Sequence, residues 1–126
     1  MPRKKILLVD DSNTVLMMER MILNKGSYDL VTAKDGSEAV ERAFAEKPDL
    51  ILLDVIMPRM NGFEVCKKIR EDDGMKSVPI IMVTTRGEGE NVENGFQSGC
   101  SDYITKPFSS LELLTKIESY LAGEKR

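Results

Sequence analysis

The run from Lys5 to Asn13, KILLVDDSN, places two adjacent carboxylates, Asp10 and Asp11, directly after four apolar residues. Neighbouring carboxylates repel, and burial adds to the cost of ionising either one. The same arrangement recurs along the chain: Asp54 follows LILL, Thr84 and Thr85 follow IIMV, and Lys106 closes DYITK. Three carboxylates, a pair of hydroxyls and an ammonium therefore stand at the ends of apolar runs. The chain has 0 histidines, which removes His-based triads, His metal ligands and a phosphohistidine relay within it. No glycine-rich loop leads into Lys-Ser or Lys-Thr, so there is no ATP-cradling loop. Phosphate chemistry at this site would take its phosphoryl group from another molecule. Cys66 and Cys100 lack metal-ligand spacing and read as small buried residues.

The elements that position these residues follow from hydrophobic periodicity. Strands are predicted at Ile6–Val9, Tyr28–Ala33, Leu50–Leu53, Ile80–Val83 and, briefly, Tyr103–Ile104. The first, third and fourth are continuous apolar runs, as expected of strands covered on both faces. The second, with Asp29 and Thr32, and the short fifth read as edges. A first helix is predicted from Ser12, which is available as its cap, to Asn24, with Val15, Met18 and Ile22 on its buried face. A second begins at DGSE, where Asp35 caps and Glu38 reciprocates, and it buries Ala39, Val40, Ala43 and Phe44 before Pro48. A third runs from Gly62 to Glu71 with Phe63, Cys66 and Ile69 inward. A fourth rests on Val92 and Phe96, in a stretch rich in glycine and asparagine, and each interior glycine costs about 1 kcal/mol. It should be the least stable helix. A fifth has a Ser109–Glu112 capping box and a Leu114, Ile117, Leu121 stripe. Strands alternating with helices mean a parallel α/β sheet, whose ligands bind beyond the carboxyl ends of the strands.

The 126 residues suit one domain, expected over 1–122, with 123–126 as a tail or the start of a linker. Charged residues at 31% and apolar residues at 41% describe a folded soluble chain. A net charge of -3 argues against nucleic acid as a direct partner. No apolar run approaches a membrane span, and the four apolar residues after MPRKK are too few for a secretory signal. A cytoplasmic protein is expected.

Four stretches, VDDS, LLDVIMPRMNGFE, IIMVTT and DYITKPF, occur in this order, each at the end of a predicted strand. Together they resemble the receiver domain of bacterial two-component response regulators, over Lys5 to about Leu121. The resemblance implies a flavodoxin-like, doubly wound five-stranded sheet in order 2-1-3-4-5 with helices on both faces. The chemotaxis receiver is itself a standard illustration of that order. It implies that Asp54 accepts a phosphoryl group as an aspartyl phosphate. Asp10, Asp11, Asp54 and the backbone carbonyl of Ile56 would hold Mg²⁺, with Mn²⁺ as a substitute. Thr84 would donate its hydroxyl to the phosphoryl group, Lys106 would contact it with its ammonium as a point charge, and the Lys106–Pro107 bond would be cis. Thr85 would assist or cap the fourth helix, and Tyr103 would be the switch aromatic.

The implied function is a signalling switch rather than an enzyme with its own substrate. A sensor histidine kinase or phosphotransfer protein would supply the phosphoryl group, as in a phosphorelay. The surface of the fourth helix, fifth strand and fifth helix would address an effector protein or a fused output domain, or a second copy in a dimer. Ile56 and Arg86 occupy the two positions that set phosphate lifetime in this family. Apolar Ile56 cannot orient an attacking water and long Arg86 can cover the phosphate, so slow self-dephosphorylation is expected. Two other readings are a phosphorylation-independent pseudo-receiver, which usually lacks the acceptor or the lysine, and an aspartyl hydrolase, which needs Asp-x-Asp where this chain has Asp54, Val55 and Ile56.

Overall fold

In a computed structural model, residues 3–24, 28–55, 57, 60–85 and 99–123 are described. Five parallel strands, β1 (Lys4–Val9), β2 (Tyr28–Ala33), β3 (Leu50–Asp54), β4 (Ile80–Thr85) and β5 (Asp102–Lys106), form one sheet in the order β2-β1-β3-β4-β5. The helices are α1 (Asn13–Leu23), α2 (Gly36–Glu46), α3 (Gly62–Arg70) and α4 (Ser110–Gly123), with a short 3₁₀ turn at Asp73–Met75. The label α4 thus denotes the last of the predicted helices. The fourth predicted one, around Val92 and Phe96, lies outside the described residues. So do Ile56, Pro58, Arg59 and Arg86.

Order and edges agree with expectation, and β1, β3 and β4 are central. Leu50 to Leu53 and Ile80 and Ile81 are 0% exposed, which explains their unbroken apolar sequence. β5 extends to Lys106 because its backbone pairs with β4 through Thr85↔Lys106. Side chains alternate faces along each strand, and the core divides accordingly. Leu7, Val9, Ile51, Leu53, Ile80 and Met82 pack with Ala39, Ala43, Val65, Cys66 and Ile69 of α2 and α3. Ile6, Leu8, Leu50, Leu52, Ile81, Val83 and Ile104 pack with Leu16 and Leu23 of α1 and Leu113, Ile117 and Leu121 of α4. Cys66 and Cys100 are free and buried, as expected.

Several helix faces differ from expectation. In α1 the buried residues are Leu16, Glu19 and Leu23, whereas Met18 is 44% exposed. Apolar side chains surround most of α1, so periodicity alone could not orient it. Phe44 lies at the exposed margin of α2, and Leu113 rather than half-buried Leu114 is the inward residue of α4. The caps are closer to expectation. Ser12 Oγ accepts from Val15 N–H, Asp35 Oδ1 from Glu38 N–H at 2.8 Å, and Ser109 Oγ from Glu112 N–H at 3.0 Å. Glu38 Oε1 accepts from Lys34 N–H, one residue before the cap.

The return from α3 to β4 and the entry to β5 are fastened by Arg70. Its guanidinium donates to the carbonyls of Gly99 and Met75, each at 2.8 Å, and to Ser101 Oγ at 3.4 Å. Gly99 has φ 105, and a Cβ there would lie 2.9 Å from Arg70 Cγ, so glycine is required on both counts.

Candidate functional site

The chain leaves β1 for the edge strand β2 and then crosses back to β3, so the switch point lies between the carboxyl ends of β1 and β3. Asp10 and Asp54 stand there. Asp10 N–H continues the ladder by donating to Ala33 O, and Asp10 Oδ1 accepts from Ser12 N–H at 2.9 Å. This last bond fixes the carboxylate where the chain turns into α1. Asp54 is the final residue of β3, and Val55 N–H donates to Val83 O at 3.2 Å. Gly62 N–H then donates to Val55 O at 2.8 Å, bringing the start of α3 against the strand end. A Cβ on Gly62 would fall 2.6 Å from Asp54 O and 2.9 Å from Val55 Cα, so no larger residue fits without movement. α3 begins with a full capping box: Asn61 Oδ1 accepts from Glu64 N–H, and Glu64 Oε1 from Asn61 N–H. The N-x-x-E spacing in NGFE was a readable signal for it.

Lys106 reaches across from β5. Its ammonium lies 3.2 Å from Asp10 Oδ2 and 3.5 Å from Asp54 Oδ1. Carboxylate oxygens of Asp10, Asp11 and Asp54 all lie within 4.8 Å of one another. Asp10 and Asp54 are buried and Asp11 is exposed at the rim. Three hard oxygen donors around one point, two rooted in the fold and one facing solvent, fit a divalent cation of the Mg²⁺ type that keeps part of its water. The three carboxylates exceed the one ammonium by two charges, which is the charge of such an ion.

The electrostatics follow from burial. It raises the Asp54 carboxyl from 3.8 to about 6, with Asp10 adding to the rise and Lys106 opposing it. Burial pulls the Lys106 ammonium down, but Asp54 and Asp10 outweigh it and the net shift is upward. Thr84 is 3% exposed and points to the α2–α3 side, by alternation with Met82. Tyr103, 37% exposed, pairs with Met82 in the ladder, while Thr84 pairs with Thr105. Thr84 and Tyr103 therefore share one face of the sheet, two ladder steps apart. The peptide bond between Lys106 and Pro107 is cis. The site thus unites Asp10, Asp11, Asp54 and Lys106, with Thr84 at the same end of the sheet. Ile56 and Arg86 lie outside the described residues, and of Thr85 only the backbone is described.

One residue went unread in the sequence. Glu19 on α1 is 1% exposed, and its Oε1 has no hydrogen-bond partner among the described residues. Burial, then Asp10, raise its carboxyl from 4.5 to about 8, while Lys106 opposes and Asp54 adds to the rise. Its place in VLMMERMIL gives no warning, because an isolated Glu in a helix usually faces solvent.

A doubly wound sheet with an acidic cluster and a lysine at its switch point defines the class of protein. The chain belongs to the response regulator receiver domain family, whose model matches residues 6–118. It is 42% identical over 118 residues to the alkaline phosphatase synthesis transcriptional regulatory protein PhoP of Bacillus subtilis, covering 94% of this chain and 48% of that protein. It is 43% identical over 117 residues to the transcriptional regulatory protein ResD of the same organism, covering 93% and 48%. The chain thus spans about half the length of these relatives. Among solved structures, a response regulator from Chloroflexus aurantiacus superposes with a TM-score of 0.92 at 33% identity, covering 96% of this chain and 99% of that one. The chemotaxis protein CheY4 of Vibrio cholerae gives 0.89 at 35% identity, with 94% and 99% covered. The receiver domain of the sensor histidine kinase PA1611 of Pseudomonas aeruginosa, solved with a magnesium ion in its active-site cleft, gives 0.89 at 30% identity, with 96% and 99% covered. No helix among the described residues is long and apolar enough to cross a membrane.

Proposed function

We infer that this receiver domain takes a phosphoryl group onto Asp54 from a phosphohistidine of a sensor kinase or phosphotransfer protein. The observation that carries the reading is the buried Asp54 carboxylate, held by Lys106 beside Asp10 and Asp11 at the switch point. An Asp54 oxygen attacks phosphorus and the P–N bond breaks. The electron pair leaves with the donor's imidazole, which takes its proton from solvent. Lys106 screens charge on the transferring oxygens, and Thr84 donates its hydroxyl to one of them. Asp10, Asp11, Asp54 and the Ile56 carbonyl would hold Mg²⁺, or Mn²⁺ in its place, as the PA1611 relative holds magnesium. When bound, the ion offsets the carboxylate repulsion and stabilises charge developing on the phosphoryl group.

Loss of phosphate is the reverse in outcome: water attacks phosphorus, the acyl P–O bond breaks, and the Asp54 carboxylate is restored. Ile56 offers no hydrogen bond to that water, and Arg86 is long enough to cover the phosphate, so the adduct is long-lived. The domain catalyses only its own phosphorylation and this slow loss. The added charge favours one arrangement of Thr84, Tyr103 and the surface around β5, which biases an existing equilibrium. That surface addresses an effector, a fused output domain or a second copy, in the cytoplasm, without direct contact to nucleic acid. Residues 1–122 are read as the domain and 123–126 as a tail or the start of a linker.

Incubation with acetyl phosphate and mass measurement tests the reading. One added phosphoryl group, dependent on Mg²⁺ and absent from Asp54→Asn, is expected. No adduct would instead favour a pseudo-receiver, and rapid multiple turnover a hydrolase.

A further inference from the structure

Asp10, Asp54 and Lys106 share a feature set by strand alternation. Each continues the face that carries Leu8, Leu52 and Ile104, which is the face covered by α1 and α4. The buried stripe of α1 (Leu16, Glu19 and Leu23) presses into that same layer. Glu19 is thus a carboxyl group inside the layer from which the site's carboxylates and ammonium emerge. Its electrostatic neighbours are Asp10, Lys106 and Asp54.

A buried acceptor with no donor bears its full desolvation cost, and an apolar side chain would fill this position without it. The compensation must come from another state of the site. The Lys106 ammonium has three donors, and Asp10 and Asp54 account for two of them here. A divalent cation on those carboxylates would repel the ammonium and take over the oxygens that hold it. Outward is the mouth of the site at the strand ends, where a phosphoryl group would arrive. Inward there is Glu19 Oε1, an acceptor still waiting for a donor.

We propose that Glu19 is a positioning residue for Lys106: its buried carboxyl receives the ammonium when a divalent cation claims Asp10 and Asp54, and returns it when a phosphoryl group arrives. This rests on the receiver-site reading above. Glu19 relieves the competition between Lys106 and the cation, and so strengthens cation binding without touching the ion.

Calorimetric titration of the unphosphorylated chain with MgCl₂ tests it. Glu19→Leu should bind Mg²⁺ about tenfold more weakly than the native chain, and Glu19→Gln, which keeps an acceptor oxygen, about threefold more weakly. Melting curves should show both variants folded, and the Gln variant serves if the Leu variant does not fold. With Lys106→Ala as background there is no ammonium to place, and the Glu19→Leu penalty should vanish. Native affinity in both Glu19 variants overturns the proposal. A tenfold loss that persists undiminished in the Lys106→Ala background also overturns it, since Glu19 would then act on the cation directly. Failure of the native chain itself to bind Mg²⁺ would sink the receiver-site reading as well, and is thereby distinguishable.

Discussion

Asp54 stands where a carboxylate is expensive to ionise. Its carboxyl titrates near 6 rather than 3.8, mainly through burial and then through Asp10. A carboxyl raised in the folded state holds its proton more tightly than in the unfolded chain. Stability therefore falls as pH rises between about 4 and 6, and the full penalty is present at pH 7. In the presence of a chelator, Asp54→Asn should be more stable than the native chain by about 1–3 kcal/mol at pH 7 in urea denaturation. The gap should narrow as pH falls through that window and close below about 4. A gap independent of pH would show that the penalty is not ionisation. Ile56→Asn, by supplying a hydrogen bond to an attacking water, should shorten the lifetime of the aspartyl phosphate several-fold, as measured by radiolabelled phosphate loss. At this scale the gathering of these residues was largely legible: Asp10, Asp54 and Thr84 each follow an apolar run and Lys106 closes the short DYITK strand, and the fold converts "at a strand end" into "at one place". Glu19 was not legible, because its meaning lies in which side of an almost uniformly apolar α1 turns inward.

The helices show where local rules suffice and where packing decides. Caps at Ser12, Asp35 and Ser109 were readable because they are satisfied within one turn. The inward faces of α1 and α4 were displaced by a residue at Leu16 and Leu113, since only the sheet beneath them chooses among adjacent apolar side chains. The start of α3 combines both kinds of constraint. Asn61→Ala removes the acceptor for Glu64 N–H and should lower stability by about 1 kcal/mol in urea denaturation. Gly62→Ala is a different perturbation. The added methyl meets the backbone of Asp54 and Val55, neither of which is a flexible side-chain end. It should cost about 1–3 kcal/mol in the same assay. On the reading of Asp54 as the phosphoryl acceptor, this displacement at its backbone should also slow phosphoryl uptake from acetyl phosphate, whereas Asn61→Ala should leave uptake nearly native.

For the molecule as a whole, a divalent cation at the Asp10, Asp11 and Asp54 cluster would offset the repulsion of the acidic end. A ligand that binds only the folded state stabilises it by RT ln(1 + [L]/Kd), about 2.7 kcal/mol at a hundredfold excess over Kd. MgCl₂ should therefore raise the thermal midpoint and a chelator should reverse it. Asp11→Asn, at an exposed position, should fold normally yet lose most of that response. The edges were legible at this scale because apolar and mixed runs separate them from the central strands, while the strand order came from the resemblance to receiver domains. Arg70, which ties α3 to both Met75 and the approach to β5, was not, since its three acceptors lie 5, 29 and 31 residues away.

Alternation along the strands has one more consequence. Asp10, Asp54 and Lys106 meet because all three are in phase on one face, while Thr84 is deliberately out of phase with them. Such a site has a reading frame of two residues. Loss of Thr105 alone would leave a strand that still pairs but would carry the ammonium to the opposite layer. Loss of both Ile104 and Thr105 would keep it in phase. In this fold, point substitution can tune the site, but only even steps in strand length can preserve it.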